Sequence, residues 1–405
     1  MKKPLDGITV VELADYVSAP VCCRLLADMG AKVIKIERNT GNVWRTTGKG
    51  YCPDRFSDQE NPVYDIYNTG KAHIVLNLKT PEGMAICHKI LESADVFVTN
   101  NRVAALQRLG LDYPSLKDKY PSLIYAIGLG YGEKGPLAND PAYDQSAFWA
   151  RSGFLRDLGV IDNDHYMPVQ PPASMGDTLT GITLMGEICA ALYNRMQTGR
   201  GEYVRSSLFH NAVFSMGTMQ IWSQRPFGTT FPKTRIENGL PNGYYRCKDG
   251  EYIFIAAGYA PQLVPGVLRM IGHGELIEDE RFSTIENRNA NADEFYRILC
   301  ESMMQKDSRE WIELSKEYDI PVSPMNHFAD LSEDEQAWAN GYVQNVHYEN
   351  GHTDVIASSP IEMDSVGALD TVPSHGIGDD TTDILVQYGY SKQEIEAFRA
   401  NNAIN

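Results

Sequence analysis

Paired cysteines, basic charge, long apolar runs and the common nucleotide and metal signatures are all missing from this chain. The seven cysteines, at positions 22, 23, 52, 87, 189, 247 and 300, are odd in number and scattered, with no Cys-x-x-Cys pair. That pattern excludes a disulfide-stapled module and a structural zinc site and reads as the reduced thiols of a cytoplasmic protein. No apolar stretch approaches the ~20 residues of a membrane-spanning helix. Asp6 and Glu12 interrupt what would have to be the apolar core of a signal peptide after Met-Lys-Lys. Fifty-three acidic against 36 basic residues leave a net charge of −17, which disfavours nucleic acid and anionic membranes as partners. An anionic ligand therefore needs a local gathering of Arg and Lys. Where a dinucleotide fingerprint would follow the first strand stands Tyr16-Val17-Ser18-Ala19-Pro20, and a Walker A motif is also absent. The nine histidines include no His-Glu-x-x-His and no telling Cys or Ser partner, so no catalytic histidine and no metal site is expected.

What is present is an α/β pattern over 405 residues, 43% of them hydrophobic, enough for two domains or one large one. Residues 7–13 read as a buried strand, 19–29 as a helix stopped by Gly30, and 32–37 as a second strand. The unit repeats: IVLNL is a strand, Thr80-Pro81-Glu82 a helix start, and DVFVT another strand. A further strand at 122–129 leads into the loop GYGEKGP. This alternation predicts a parallel, doubly wound sheet, with ligands collecting at the carboxyl ends of its strands. From Asp177, Leu179, Ile182, Met185, Ile188 and Leu192 recur at helical spacing and predict a largely buried helix.

Pro, Gly and Asn crowd residues 225–243, which read as a linker. The expected division is a large domain from 1–224, a small α+β domain over 225–325 opening with a hairpin around Lys248-Asp249-Gly250, and a return to the large domain over 326–405. PVSP at 321–324 reads as the break between the last two, and DILVQYGYSKQEIEAFR as paired terminal helices.

Asp177 stands where a helix pattern begins, so its first reading is an N-cap. The same position suits a nucleophile, since a helix N-terminus favours the ionised carboxylate and Gly176 leaves room for a substrate. Arg38, Lys79 and Arg108 each stand at a strand or helix end, which in an acidic chain suits phosphate binding, although each is also an ordinary solvated cation. Phe148, Trp149 and Trp222 suit an apolar pocket or plain core packing.

Seven ordered blocks carry a resemblance: LDGITVVELADYVSAP (5–20), LLADMGAKVIKIER (25–38), VLNLKTPEG (75–83), LGYGEKGP (129–136), GDTLTG (176–181), TGRGEYV (198–204) and DDTTDILVQYGYSKQEI (379–395). Together they resemble the family III CoA-transferases, which include the formyl-CoA:oxalate, carnitine and aryl-lactate enzymes. The resemblance implies that Asp177 is the nucleophile and that CoA is a substrate rather than a resident cofactor. By matching motif, its CoA site would comprise Val17, Ser18, Arg38, Leu76, Asn77, Leu78, Lys79, Asn100, Asn101, Arg108, Gly130 and Tyr131. It further implies a Rossmann-like large domain and an interlocked homodimer, with acyl-CoA and a carboxylic acid as substrates.

Two departures stand out. The oxalate enzyme's run of glycines has no counterpart, the nearest segment being Ala256-Ala257-Gly258-Tyr259, and Ser18 replaces a larger polar residue, which argues against oxalate. NPVYDIYN and AFWARSGFLRDLG look most like the 2-hydroxy-acid and aryl-lactate branch. A racemase of the same fold places His before Asp after the GYG loop, where this chain has Tyr143-Asp144. A non-catalytic CoA-binding protein is the remaining alternative, against which the intact Asp177 argues.

Overall fold

The computed structural model describes residues 2–46, 57, 60–162, 165–234, 236–257 and 261–405. The chain divides into two compact units: residues 1–152, 171–220 and 334–405 form one, and 153–170 with 221–333 form the other.

The first unit opens with β1 (Thr9–Leu13), α1 (Ser18–Asp28) and β2 (Lys32–Glu37), closely as the apolar pattern predicts. Gly30 ends α1 at φ +104°, a conformation that glycine adopts without strain. Then follow α2 (Pro62–Asn68), β3 (Ala72–Val75), α3 (Pro81–Leu91), β4 (Val96–Thr99), α4 (Val103–Leu109), α5 (Tyr113–Leu116) and β5 (Ile124–Leu129). Thr80 caps α3 by accepting the Gly83 N–H at 3.1 Å, with Pro81 at the first helical position. Leu76–Leu78, expected to continue the strand, instead enter a turn in which the Thr80 N–H donates to the Asn77 carbonyl.

After a π-helical turn at Asp144–Ala150, α6 (Phe154–Asp157) and the hairpin β6 (Val160–Asp162) and β7 (His165–Met167) belong to the second unit. The chain returns with α7 (Met175–Thr198), β8 (Tyr203–Ser207) and α8 (Leu208–Ser215). The central sheet runs β3-β2-β1-β4-β5-β8, parallel throughout.

Alternate residues along β1 face opposite layers. Val11, with Ile34, Ile74 and Phe97, packs beneath α3 and the terminal helices Thr381–Gln387 and Lys392–Ala400, which contribute Ile384, Leu385 and Ile395. Val10, with Val33, Val96 and Val98, meets Cys22 and Leu26 of α1 and Leu184 and Ile188 of α7. Gly181 permits that second layer, because a Cβ there would lie 2.5 Å from the Ser18 carbonyl oxygen. Burial of α7 is one-sided rather than general: Thr180, Leu184, Ile188, Ala191 and Leu192 are buried, while Ile182, Tyr193 and Met196 are exposed. Within the sheet Glu12 pairs with Lys35 and, at 2.8 Å, with Lys71, all three shielded from water.

The second unit is built on a three-stranded antiparallel sheet ordered β11-β10-β9, from β9 (Gly243–Arg246), β10 (Tyr252–Ile255) and β11 (Val322–Pro324). The hairpin expected around Lys248-Asp249-Gly250 is β9–β10. PVSP, expected as a break, is the edge strand β11. Prolines are tolerated at an edge, where an N–H is not needed for a further ladder. Tyr245, Ile253, Phe295, Leu299 and Trp311 form its core.

Candidate active site

Loops at the carboxyl ends of β1, β4 and β5 meet the start of α7, where parallel sheets place their ligands. They enclose a cleft of about 510 Å³, lined by Asp15, Tyr16, Ser18, Trp44, Asn100, Asn101, Arg102, Arg108, Gly130, Tyr131, Tyr143, Asp144 and Asp177 among others. Beside it, a cleft of about 540 Å³ is lined by Arg38, Leu76, Asn77, Leu78 and Lys79. Asp15, Asn101 and Ala105 line both, so the two clefts are neighbours along one seam.

The motif residues thus fall into two sets. Ser18, Asn100, Arg108, Gly130, Tyr131 and Asp177 line the first cleft, Arg38 and Leu76–Lys79 line the second, and Asn101 lines both. Val17 lines neither. Its side chain is fully buried with Val21 and Leu25, because α1 opens beside it with an apolar face.

Several ligand candidates also hold the scaffold. The Asn100 carboxamide donates to the Asp15 carbonyl at 2.6 Å and accepts the Asp15 N–H at 3.0 Å. Asn101 donates to the Leu13 carbonyl at 2.8 Å, so β4 fixes the loop that leaves β1. The Asn77 backbone N–H donates to the Ala403 carbonyl at 2.8 Å and its carboxamide to the Asn402 carbonyl at 3.0 Å, tying the second cleft to the chain's last residues. Arg38 is exposed and paired with Asp15 at 2.5 Å, while Lys79 and Arg108 are exposed at the cleft walls.

Asp177 is the third residue of α7, not its cap. Ser174 occupies the capping position at φ +67°, and Tyr16 in the opposing loop stands at φ +60°. Two non-glycine residues in the left-handed region therefore flank the cleft, a strain that surrounding structure must hold. The carboxyl of half-buried Asp177 is pushed up to about 7, by burial first and then by the charge of Asp144, against a hydrogen bond from Ser18. The expectation that the helix start simply keeps Asp177 ionised is thus corrected. Near neutral pH it is divided between acid and carboxylate.

Gly176 does not open space for a substrate, as the sequence suggested. A Cβ there would lie 2.3 Å from Asp144 Oδ1 and 2.3 Å from Phe148 Cγ, so the absent side chain seats the π-helical turn against α7. Phe148 and Trp149 are accordingly buried packing residues. The cleft's aromatic wall is formed by Tyr16, Trp44 and Tyr143, with the Tyr16 and Tyr143 hydroxyls 3.2 Å apart. That contact, more than burial, pushes the Tyr16 phenol up to about 12. Sequence reasoning missed this wall and Arg102. The only signal was an aromatic residue in each loop bordering a motif. Of the candidate lid, Gly258 and Tyr259 lie outside the described residues.

A family model described as CoA-transferase family III matches residues 5–377. The chain belongs to this family. The transferase is 37% identical over 401 residues to (R)-2-hydroxy-4-methylpentanoate CoA-transferase of Clostridioides difficile, covering 99% of each chain. It is 36% identical over 404 residues to cinnamoyl-CoA:phenyllactate CoA-transferase of Clostridium sporogenes, covering 98% of this chain and 97% of that one. Among solved structures, the transferase resembles a CAIB/BAIF family protein from Brucella suis with TM-score 0.81 and 29% identity, over 96% of this chain and 100% of that one. Among the described residues no helix is long and apolar enough to cross a membrane, and no group of three or more His, Cys, Asp or Glu is arranged to hold a metal.

Proposed function

We propose that this transferase moves CoA from an acyl-CoA to a free 2-hydroxy or aryl-lactate type acid, with Asp177 as the covalent nucleophile. The observation that carries this reading is the placement of Asp177: a half-buried carboxylate, little hydrogen-bonded, in a cleft also lined by Tyr16, Trp44 and Tyr143. The substrate class rests on the printed activities of the two clostridial relatives and on those aromatic side chains, which suit an apolar acyl body.

In the first half-reaction an Asp177 carboxylate oxygen attacks the donor thioester carbonyl. The C–S bond breaks, giving a mixed anhydride and CoA thiolate. The thiolate attacks the Asp177 carbonyl carbon, the anhydride C–O bond breaks, and the donor leaves as its carboxylate. Asp177 now carries CoA as a thioester, and the acceptor carboxylate repeats the steps in reverse, with no net proton change. Backbone N–H groups of the Gly130–Gly132 loop after β5 are the candidate oxyanion donors. Arg38 and Lys79 would meet the CoA phosphates in the second cleft and Arg108 in the first, with CoA entering as substrate. The parallel strand order β3-β2-β1-β4-β5-β8 supports a Rossmann-like reading of the first unit, and the two clefts at its strand ends support CoA binding there. Two compact units as separate domains, an interlocked homodimer and a cytoplasmic location complete the reading. The racemase alternative loses ground because no histidine is among the described residues lining the first cleft.

The test is mass spectrometry after incubation with a phenyllactyl-CoA or 2-hydroxyacyl-CoA donor. A CoA adduct on the peptide containing Asp177, sensitive to hydroxylamine and absent in Asp177→Ala together with turnover, is the expected result. Full-rate transfer by Asp177→Ala would overturn it.

A further inference from the structure

We propose that Asp144 is a positioning residue for Asp177: its buried carboxylate seats the first turn of α7 and holds a fixed negative charge that favours the acylated, neutral forms of the nucleophile. This rests on the reading of Asp177 as nucleophile and adds a second residue to it.

Asp144 is 3% exposed, lines the same cleft, and neither of its carboxylate oxygens has a hydrogen-bond partner within tight geometry. A buried, unsatisfied carboxylate is costly and calls for a reason. Its position supplies one. Oδ1 occupies the space a Gly176 Cβ would fill, one residue before the nucleophile, and Phe148 on the same π-helical turn closes the other side. Burial pushes the Asp144 carboxyl up from its ordinary value, and the backbone N–H groups of Gly176, Asp177 and Ser174 with the Trp149 side chain oppose that rise. Asp177 has the Ser18 hydroxyl alone on that side of the balance. Of two neighbouring acids sharing one site, the one faced by more N–H donors keeps the charge and the other keeps the proton.

The other neighbours do not supply this charge. Helix α1 presents the Ser18 hydroxyl and pairs its Arg24 with Asp28 at 2.9 Å. Helix α2 presents Tyr67, whose own ionisation is opposed by burial and by both aspartates. On α8, His210 acts on Glu187, farther along α7, and on β8 Arg205 pairs with Glu133 at 2.9 Å. From β5, the Tyr125 hydroxyl donates to the Leu111 carbonyl. Asp15, Arg102, Arg108 and Asp140 complete the charged groups among the described residues of the cleft wall.

The chemical consequence follows from charge bookkeeping along the cycle. Asp177 is an anion when free and neutral as anhydride or thioester. A fixed negative neighbour raises the free anion and leaves the neutral adducts almost untouched, so loading becomes less uphill and the ionised form more basic. Removing the neighbour lowers the loaded fraction about tenfold for each unit by which the nucleophile's titration falls.

Asp144→Asn preserves shape and removes the charge. The expected result is an acid limb of the kcat/KM profile displaced to lower pH by about one unit or more, and an aspartyl-CoA occupancy on Asp177 reduced at least in proportion, with the folded state retained by circular dichroism. An unchanged acid limb with unchanged occupancy would overturn the proposal. If Asp144→Asn does not fold, Asp144→Ser, which leaves room for water, is read in its place. Loss of fold in both would also overturn it, leaving a purely structural seat. Absence of any adduct on Asp177 in the unaltered protein would instead sink the nucleophile reading, so the two failures are distinct.

Discussion

Replacing Asp177 by Asn should make the protein more stable while abolishing transfer. In the folded chain the carboxyl is pushed up to about 7, against an ordinary value of 3.8. Each unit of difference corresponds to about 1.4 kcal/mol, so about three units set an upper bound of ~4 kcal/mol. Because Asp177 is only half-buried and faces an open cleft, water reduces this to roughly 2 kcal/mol. The sign follows from linkage. The raised folded value means that the folded state binds the proton more tightly than the unfolded one. The stability this confers is fully present at pH below the unfolded value and is lost as pH rises to the folded one. Asn copies the neutral acid at every pH. The difference between Asp177→Asn and the parent should therefore be near zero around pH 4, grow through pH 5 to 7 and level off above it, as a rise of a few degrees in melting temperature. Scanning calorimetry of both proteins across pH 4–8.5 reads it directly. A difference flat with pH, or an Asn variant less stable at pH 8, would refute the placement of Asp177 in a desolvated, like-charged site. A confirmed gain would show active-site destabilisation retained for function.

Gly176→Ala should lose most activity and about 1–3 kcal/mol of stability, because its Cβ meets Asp144 and Phe148 at 2.3 Å, as thermal melts and turnover would report. Glu12→Gln leaves Lys35 and Lys71 buried beside a neutral partner and should destabilise by about 3–5 kcal/mol, read by urea denaturation. Arg38→Ala should raise the KM for acyl-CoA by roughly tenfold with kcat little changed, and flatten the salt dependence of KM, since Arg38 is an exposed cation on the second cleft and not near the nucleophile's turn.

The sheet was legible because its strands are continuous apolar runs between strong punctuation: Gly30 stops α1, and Thr80-Pro81 starts α3, each through backbone chemistry that tertiary context does not override. PVSP was misread because two prolines look like a break when nothing in the residues themselves tells an edge strand from a linker. The helical face of α7 was read in part: Ile188 and Leu192 are buried as predicted, but Ile182 is exposed and the stripe runs through Thr180 and Leu184, set by Gly181 against α1. Within the site, Asp177 and the cations stood in motifs. Asp144 stood beside one and drew notice only as part of Tyr143-Asp144, because its significance is a three-dimensional neighbour, Gly176, 32 positions later in the chain. Tyr16 and Trp44 carry no pattern at all before their loops are folded together.

The bond between Asn77 and Asn402 spans 325 positions of sequence, and the Ala403 carbonyl reinforces it. During synthesis the sheet can assemble as its strands emerge, but the floor of the second cleft must wait for Asn402 and Ala403. A chain cut short before Asn402 would keep its sheet and lose that floor.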